Sequence, residues 1–172
     1  MSPWRLLSAS IALLALVALG GCANYRLGTG AEPSFTSIYI EPVESRAVLP
    51  QARAVLATQL RDAFERDGRL VLAGSADSAD ATLHIVIHEF DRDVASVRES
   101  DTRLARKFTL TLATSCTLRD RRTGTAHFTN RIIRTQRDAM TDGGQLQSEY
   151  QTVPLLAESL ARKIAHSVLD VW

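Results

Sequence analysis

From Phe108 to Leu118 the chain alternates with a period of two. Phe108, Leu110, Leu112, Cys116 and Leu118 are apolar, and Thr109, Thr111, Ser115 and Thr117 stand between them. That period belongs to a β-strand with one buried and one polar face. Such a strand needs sheet neighbours and an apolar layer to cover it. The spacing predicts this strand over Leu104 to Leu118, and the rest of the chain supplies its partners.

Phe35 to Val43 begins as a β-run that Pro42 ends, and Arg69 to Ala73 is a short strand. Ala81 to Phe90 is a strand with Leu83, Ile85 and Ile87 inward and Thr82, His84 and His88 outward. Asp91 to Thr102 is charged and reads as a loop or a strand extension. Arg119 to Gly124 is a hairpin turn, and Thr125 to Thr135 returns as a strand. Two helical patterns flank these runs. Pro50 opens a helix to about Asp67, with Ala52, Leu56, Leu60, Ala63 and Phe64 on one face and Gly68 as its stop. The last helix runs from about Ser148 to Val171, with Val153, Ala157, Leu160, Ile164 and Val168 on one face; Pro154 delays its expected start to Thr152. The order β-α-β-β-β-β-α predicts an α+β fold: two helices packed on one face of a mostly antiparallel four- to five-stranded sheet. The threonine-rich face would then meet solvent or a partner.

The first residues are of another kind. Arg5 precedes an apolar run from Leu6 to Leu19, shorter than the ~20 residues a membrane-crossing helix needs, and Leu19-Gly20-Gly21-Cys22 follows. This is an export signal whose end resembles the lipobox of bacterial lipoproteins. Cys22 is the expected lipid anchor. Acyl chains on that residue would hold the protein in a membrane, since each buried CH₂ contributes about 0.8 kcal/mol. Ala23 follows where an aspartate would retain an inner-membrane lipoprotein, so the expected location is the outer membrane, facing the periplasm. The expected organisation is a signal peptide (1–21), a lipidated tether (22–35) and one α+β domain (36–172).

The chain of 172 residues carries 20 Lys+Arg and 19 Asp+Glu. Removing residues 1–21, which hold Arg5 and no acid, leaves 151 residues with 19 charges of each sign. This balance excludes a nucleic-acid binder with a wholly cationic surface, and 45% hydrophobic content excludes an acidic disordered chain. With Cys22 acylated, Cys116 has no intramolecular disulfide partner.

Catalytic chemistry finds no support. His84 and His88 could share a metal on a helix, but four residues along a strand separate them by about 13 Å. Cys116 lies on the apolar side of the strongest strand, where an inert core thiol is the expected state. No nucleophile elbow, phosphate loop or zinc-protease motif occurs. No enzyme activity, metal or cofactor is expected.

Basic residues cluster locally. Arg106 and Lys107 lead into the central strand, Arg119, Arg121 and Arg122 form the hairpin turn, and Arg134 lies on the last strand. In this hairpin, residues near 106 and near 135 are expected toward the same far end. Guanidinium groups suit bidentate phosphate binding, so these six are the candidate anion-binding residues.

The mature start Cys22-Ala23-Asn24-Tyr25-Arg26-Leu27 resembles the C-G-Y-x-L opening of the lipopolysaccharide-assembly lipoprotein family LptE (RlpB). Ser37 to Val43 is similar to that family's first strand, and Leu56 to Leu72 to its first helix and short strand. Ser78-Ala79-Asp80-Ala81-Thr82-Leu83 is similar to its entry to the next strand. Leu118-Arg119-Asp120-Arg121-Arg122-Thr123-Gly124 is similar to its L-x-D-x-x-T-G hairpin. Ala23 in place of glycine, and Glu44-Ser45 where asparagine is common, depart from the pattern. The resemblance implies a non-enzymatic protein that plugs and helps assemble the LptD β-barrel and contacts lipopolysaccharide on its way to the outer leaflet. The basic residues named above would be the lipopolysaccharide contacts, and nucleic acid is not an expected partner. Two other roles stay open on the residues alone: an auxiliary lipoprotein of an ABC-type lipid transporter, for which a Y-Y-x-L start is missing, and a periplasmic activator.

Overall fold

The computed structural model describes residues 34–97, 105–140 and 145–170. The chain forms β1 (Ser37–Ile40), β2 (Glu44–Ser45), α1 (Pro50–Asp67), β3 (Val71–Leu72), a 3₁₀ turn (Ala76–Ser78), β4 (Ala81–Val97), β5 (Ala105–Asp120), β6 (Ala126–Met140) and α2 (Gln145–Leu169). The sheet order is β3-β1-β4-β5-β6, with β2 also pairing β4. The three long strands β4, β5 and β6 are antiparallel, and the short strands β1, β2 and β3 add in parallel. The fold is α+β with a mostly antiparallel sheet. It has six strands because a pairing of only two residues, β2 on β4, continues the line of β1 past Pro42.

The period-two reading of β5 matches its burial. Phe108, Leu110, Leu112, Cys116 and Leu118 are all buried toward the helices. Thr114 holds the inward position between Leu112 and Cys116; its hydroxyl donates to the Ile133 carbonyl at 3.4 Å, which spares it an unmet polar group in the core. Helix α1 buries Ala52, Leu56, Leu60, Ala63 and Phe64, as its spacing predicts. It ends at Gly68, whose φ of +74° is a left-handed cap that glycine adopts without a Cβ clash; the Gly68 N–H donates to the Phe64 carbonyl at 3.0 Å.

Helix α2 begins earlier than expected. It starts at Gln145, so Pro154 lies inside it rather than ahead of it. The proline removes the hydrogen bond to the carbonyl four residues back, at Tyr150. Both residues face solvent, where water can take that carbonyl. On the other side of the helix, burial of Val153, Leu156, Ala157 and Leu160 on either flank of the proline keeps it in one piece.

β4 and β6 run on past their expected ends at Phe90 and Thr135, to Val97 and Met140. The added length is charged yet lies in strand rather than in a loop, and two of its charges are paired, one across strands and one to α2. Lys107 Nζ meets Asp138 at 2.8 Å, and Arg92 meets Glu149 of α2 at 2.5 Å.

The long strands carry several register shifts, and two of them show how a bulge sets which residues face the core. Between Ile87 and Glu89 the β4 strand takes one extra residue, His88. In β6, Arg131 pairs with Cys116 and Phe128 with Leu118, so three steps oppose two. Asn130 supplies the turn with φ of +48°, and its N–H donates to Thr117 Oγ1 at 3.1 Å. Without the extra residue Phe128 would point outward; with it Phe128 returns to the core. The Arg131 guanidinium then lies 4.0 Å from the Phe128 ring centroid and reaches Ser167 of α2 at 2.8 Å.

Candidate functional site

The face of the sheet turned away from the helices is polar and internally charge-paired. Across β4, β5 and β6 it presents rows such as Glu89–Ala113–Arg134 and Asp93–Thr109–Asp138. Arg134 Nη2 donates to Glu89 Oε2 at 2.8 Å. Asp138 accepts from Lys107 and from Thr109 Oγ1 at 2.9 Å, and these two donors, Lys107 first, hold its carboxyl below the usual carboxylate range. Ile132 is 56% exposed on this face.

The β5–β6 turn is more rigidly built than its composition suggests. Asp120 Oδ1 accepts the Thr123 N–H at 2.9 Å, which lowers the Asp120 pKa. The Gly124 N–H donates to the Asp120 carbonyl at 3.0 Å, and Gly124 takes φ of +70°. The turn is tied to the 3₁₀ segment by Arg121, whose N–H donates to the Asp80 carbonyl at 2.8 Å and whose guanidinium meets Asp77 at 2.5 Å. Asp80 in turn clamps β1. Its Oδ2 accepts the backbone N–H groups of Thr36 and Ser37 and both hydroxyls, at 2.9 to 3.1 Å.

Those four donors, the Ser37 and Thr36 hydroxyls foremost, bring the Asp80 pKa from 3.8 to about 2. A carboxyl depressed in the folded state stabilises above its unfolded pKa and loses that effect as pH falls. The wild-type chain is therefore expected to exceed an Asp80→Asn variant in urea midpoint above about pH 4, with the gap closing as pH falls toward 2. A gap unchanged from pH 6 to pH 2 would refute the clamp.

The structure separates the candidate basic residues into three places. Arg119, Arg121 and Arg122 share the turn. Lys107 is twelve positions from Arg119 along β5, about 40 Å, and Arg106 adjoins it in the strand, its side chain outside the described residues. Arg134 does not join Lys107 at the far end. It pairs with Ala113, six positions or about 20 Å away, because β6 continues to Met140, and it is Met140 that pairs with Lys107. Arg119 and Arg122 are exposed and make no ion pair among the described residues. Cys22 lies outside the described residues.

Cys116 is fully buried, and burial pushes its thiol pKa up to about 11. A thiol so held is a poor nucleophile at neutral pH. His84 Nδ1 lies 2.9 Å from Glu41 Oε2, and among the described residues no cluster of three or more metal-ligating side chains forms. Asp77 and Asp80 escaped sequence reasoning as organisers of the basic turn. Their partners lie about 44 positions away, with no local pattern to reveal them.

Fold and surface together define a two-helix α+β domain that presents a polar sheet face and a basic turn. The family model described as LptE, lipopolysaccharide-assembly, matches residues 35–168. The chain belongs to that family. Solved structures share the fold. A protein of Xanthomonas campestris aligns with a TM-score of 0.60 at 12% identity, covering 82% of this chain and 89% of that one. Lipoprotein B of Nitrosomonas europaea aligns at 0.53 and 18% identity, covering 86% and 88%. A minor lipoprotein of Acinetobacter baumannii aligns at 0.51 and 16% identity, covering 78% and 92%. No curated protein matches the chain.

Proposed function

We propose that this chain is a non-enzymatic outer-membrane lipoprotein that plugs and assists assembly of the LptD β-barrel and helps pass lipopolysaccharide to the outer leaflet. The family match over residues 35–168 carries the reading, and two of the structural neighbours named above are lipoproteins. A charge-paired sheet face suits contact with a polar barrel wall, because its ion pairs are already satisfied. Attachment would be through acylated Cys22, on the periplasmic side.

Lipopolysaccharide contact falls to the turn. Arg119 and Arg122 have guanidinium groups free for the lipid A phosphates, and Arg121, held by Asp77, fixes the loop that carries them. Lys107 and Arg134 are engaged by Asp138 and Glu89, and Arg106 adjoins Lys107.

The test uses full-length tagged protein extracted in detergent. A stoichiometric partner of large β-barrel size is expected to co-purify, and an ABC-transporter complex in its place would overturn the reading. In the same preparation, R119A/R122A is expected to weaken lipopolysaccharide binding by about tenfold or more, or roughly 1.4 kcal/mol. K107A/R134A should change it less. Equal binding by R119A/R122A and wild type would remove the turn as the contact.

A further inference from the structure

Among the described residues the sheet has an open edge beside β1, and α1 walls it. β3 pairs only with Ser37 and Ile38, and the Ala73 N–H reaches the Ile38 carbonyl at 2.9 Å. Past that point the edge from Ile40 to Val43 borders a cleft of about 410 Å³ whose opposite wall is Arg53, Ala57 and Arg61 of α1. Tyr39 lines this cleft and the two that adjoin it, so they form one groove. It reaches Glu65 and Leu72 at one end and Glu44 at the other.

We infer that this groove docks an extended acidic segment of a partner polypeptide, which adds to the β1 edge and meets α1 with alternate side chains. An open edge offers backbone groups at strand spacing, and another extended backbone is the ligand that matches them. The side-chain preference comes from α1. Arg53 and Arg61 are exposed, and neither makes an ion pair among the described residues. Eight residues of helix place their Cα atoms about 12 Å apart along the axis. In a strand, residues i and i+4 share a face and lie about 13 Å apart. Two acidic residues at that spacing would therefore oppose the two arginines. Residue i+2 would face Ala57, midway between them.

The groove's own acids set its limits. Glu41 is engaged by His84. Glu44 and Glu65 stand at the two ends, where they repel a longer acidic tract. Pro42 lacks an N–H and faces this edge, which restricts pairing to a few residues and guards against unlimited strand addition. The docking is independent of the basic turn and of the barrel reading.

The test uses full-length protein in detergent and a fluorescently labelled, end-blocked peptide, Thr-Glu-Thr-Ala-Thr-Glu-Thr, followed by anisotropy. Saturable binding is expected, weakening several-fold from 50 to 500 mM NaCl as the ion pairs are screened. The surface variant R53E/R61E should bind at least tenfold more weakly and should instead bind the peptide with lysine in place of both glutamates. Proline in place of the central alanine should abolish binding, because it removes a backbone donor. Three outcomes would each overturn the proposal: no saturable binding, equal binding by R53E/R61E with its thermal midpoint unchanged, or full binding of the proline peptide.

Discussion

Phe64→Ala is expected to cost about 3–5 kcal/mol of folding stability, a large share of the roughly 5–15 kcal/mol that holds a typical domain together. Phe64 is fully buried in one continuous core that joins Leu56 and Leu60 of α1, Leu156 and Leu160 of α2, and Leu110 and Leu112 of β5. Truncation removes the transfer free energy of the ring and leaves a cavity under α1, whose neighbours are held by the sheet and cannot close over it. The thermal midpoint should fall by roughly 10–20 °C. Val48, 97% exposed, supplies the control: Val48→Ala should change stability by no more than about 0.5 kcal/mol. Urea unfolding of both variants checks the pair, and a Phe64→Ala loss below about 1 kcal/mol would contradict this account of the core.

The second large effect concerns attachment. With the signal exchanged for an ordinary cleavable one, Cys22→Ser is expected to move the protein almost entirely from the carbonate-washed membrane fraction to the soluble periplasmic extract. Serine offers no thiol for acyl transfer. The acyl chains expected on Cys22 would supply about 0.8 kcal/mol per buried CH₂. Among the described residues no helix is long and apolar enough to cross a membrane. Mass spectrometry of the wild-type N-terminal peptide should show the acyl mass. Retention of the serine variant in the washed membrane would refute the anchor.

Local patterns carried much of the architecture. Period two marked β5, a stripe at helical spacing marked α1, and Pro50 and Gly68 marked its limits within a residue. They did less well where tertiary context rules. Pro154 read as a barrier to α2, yet burial on both its flanks carries the helix through it. Asp91 to Thr102 left a loop and a strand extension open, and as far as Val97 the chain is strand, its backbone paired to β5 and Arg92 held by Glu149 of α2.

For the candidate site the division is sharper. The basic residues were visible in the chain, but their grouping was not. A shift in where β6 ends moved Arg134 about 20 Å from Lys107, and distant acids decided which cations are engaged. In the sequence Arg53 and Arg61 are two polar residues off the apolar face of a helix; only the short reach of β3 makes them one wall of a groove.

The sequence by itself determined the strand and helix faces, the α+β class and the inertness expected of Cys116, because each depends on neighbours within a few residues. Tertiary structure alone decided the bulges, the Asp80 clamp, the pairing of the surface charges and, among the described residues, the open sheet edge. Each of these depends on which residues meet across strands, and that register is set by the packing of the whole core rather than by any local run.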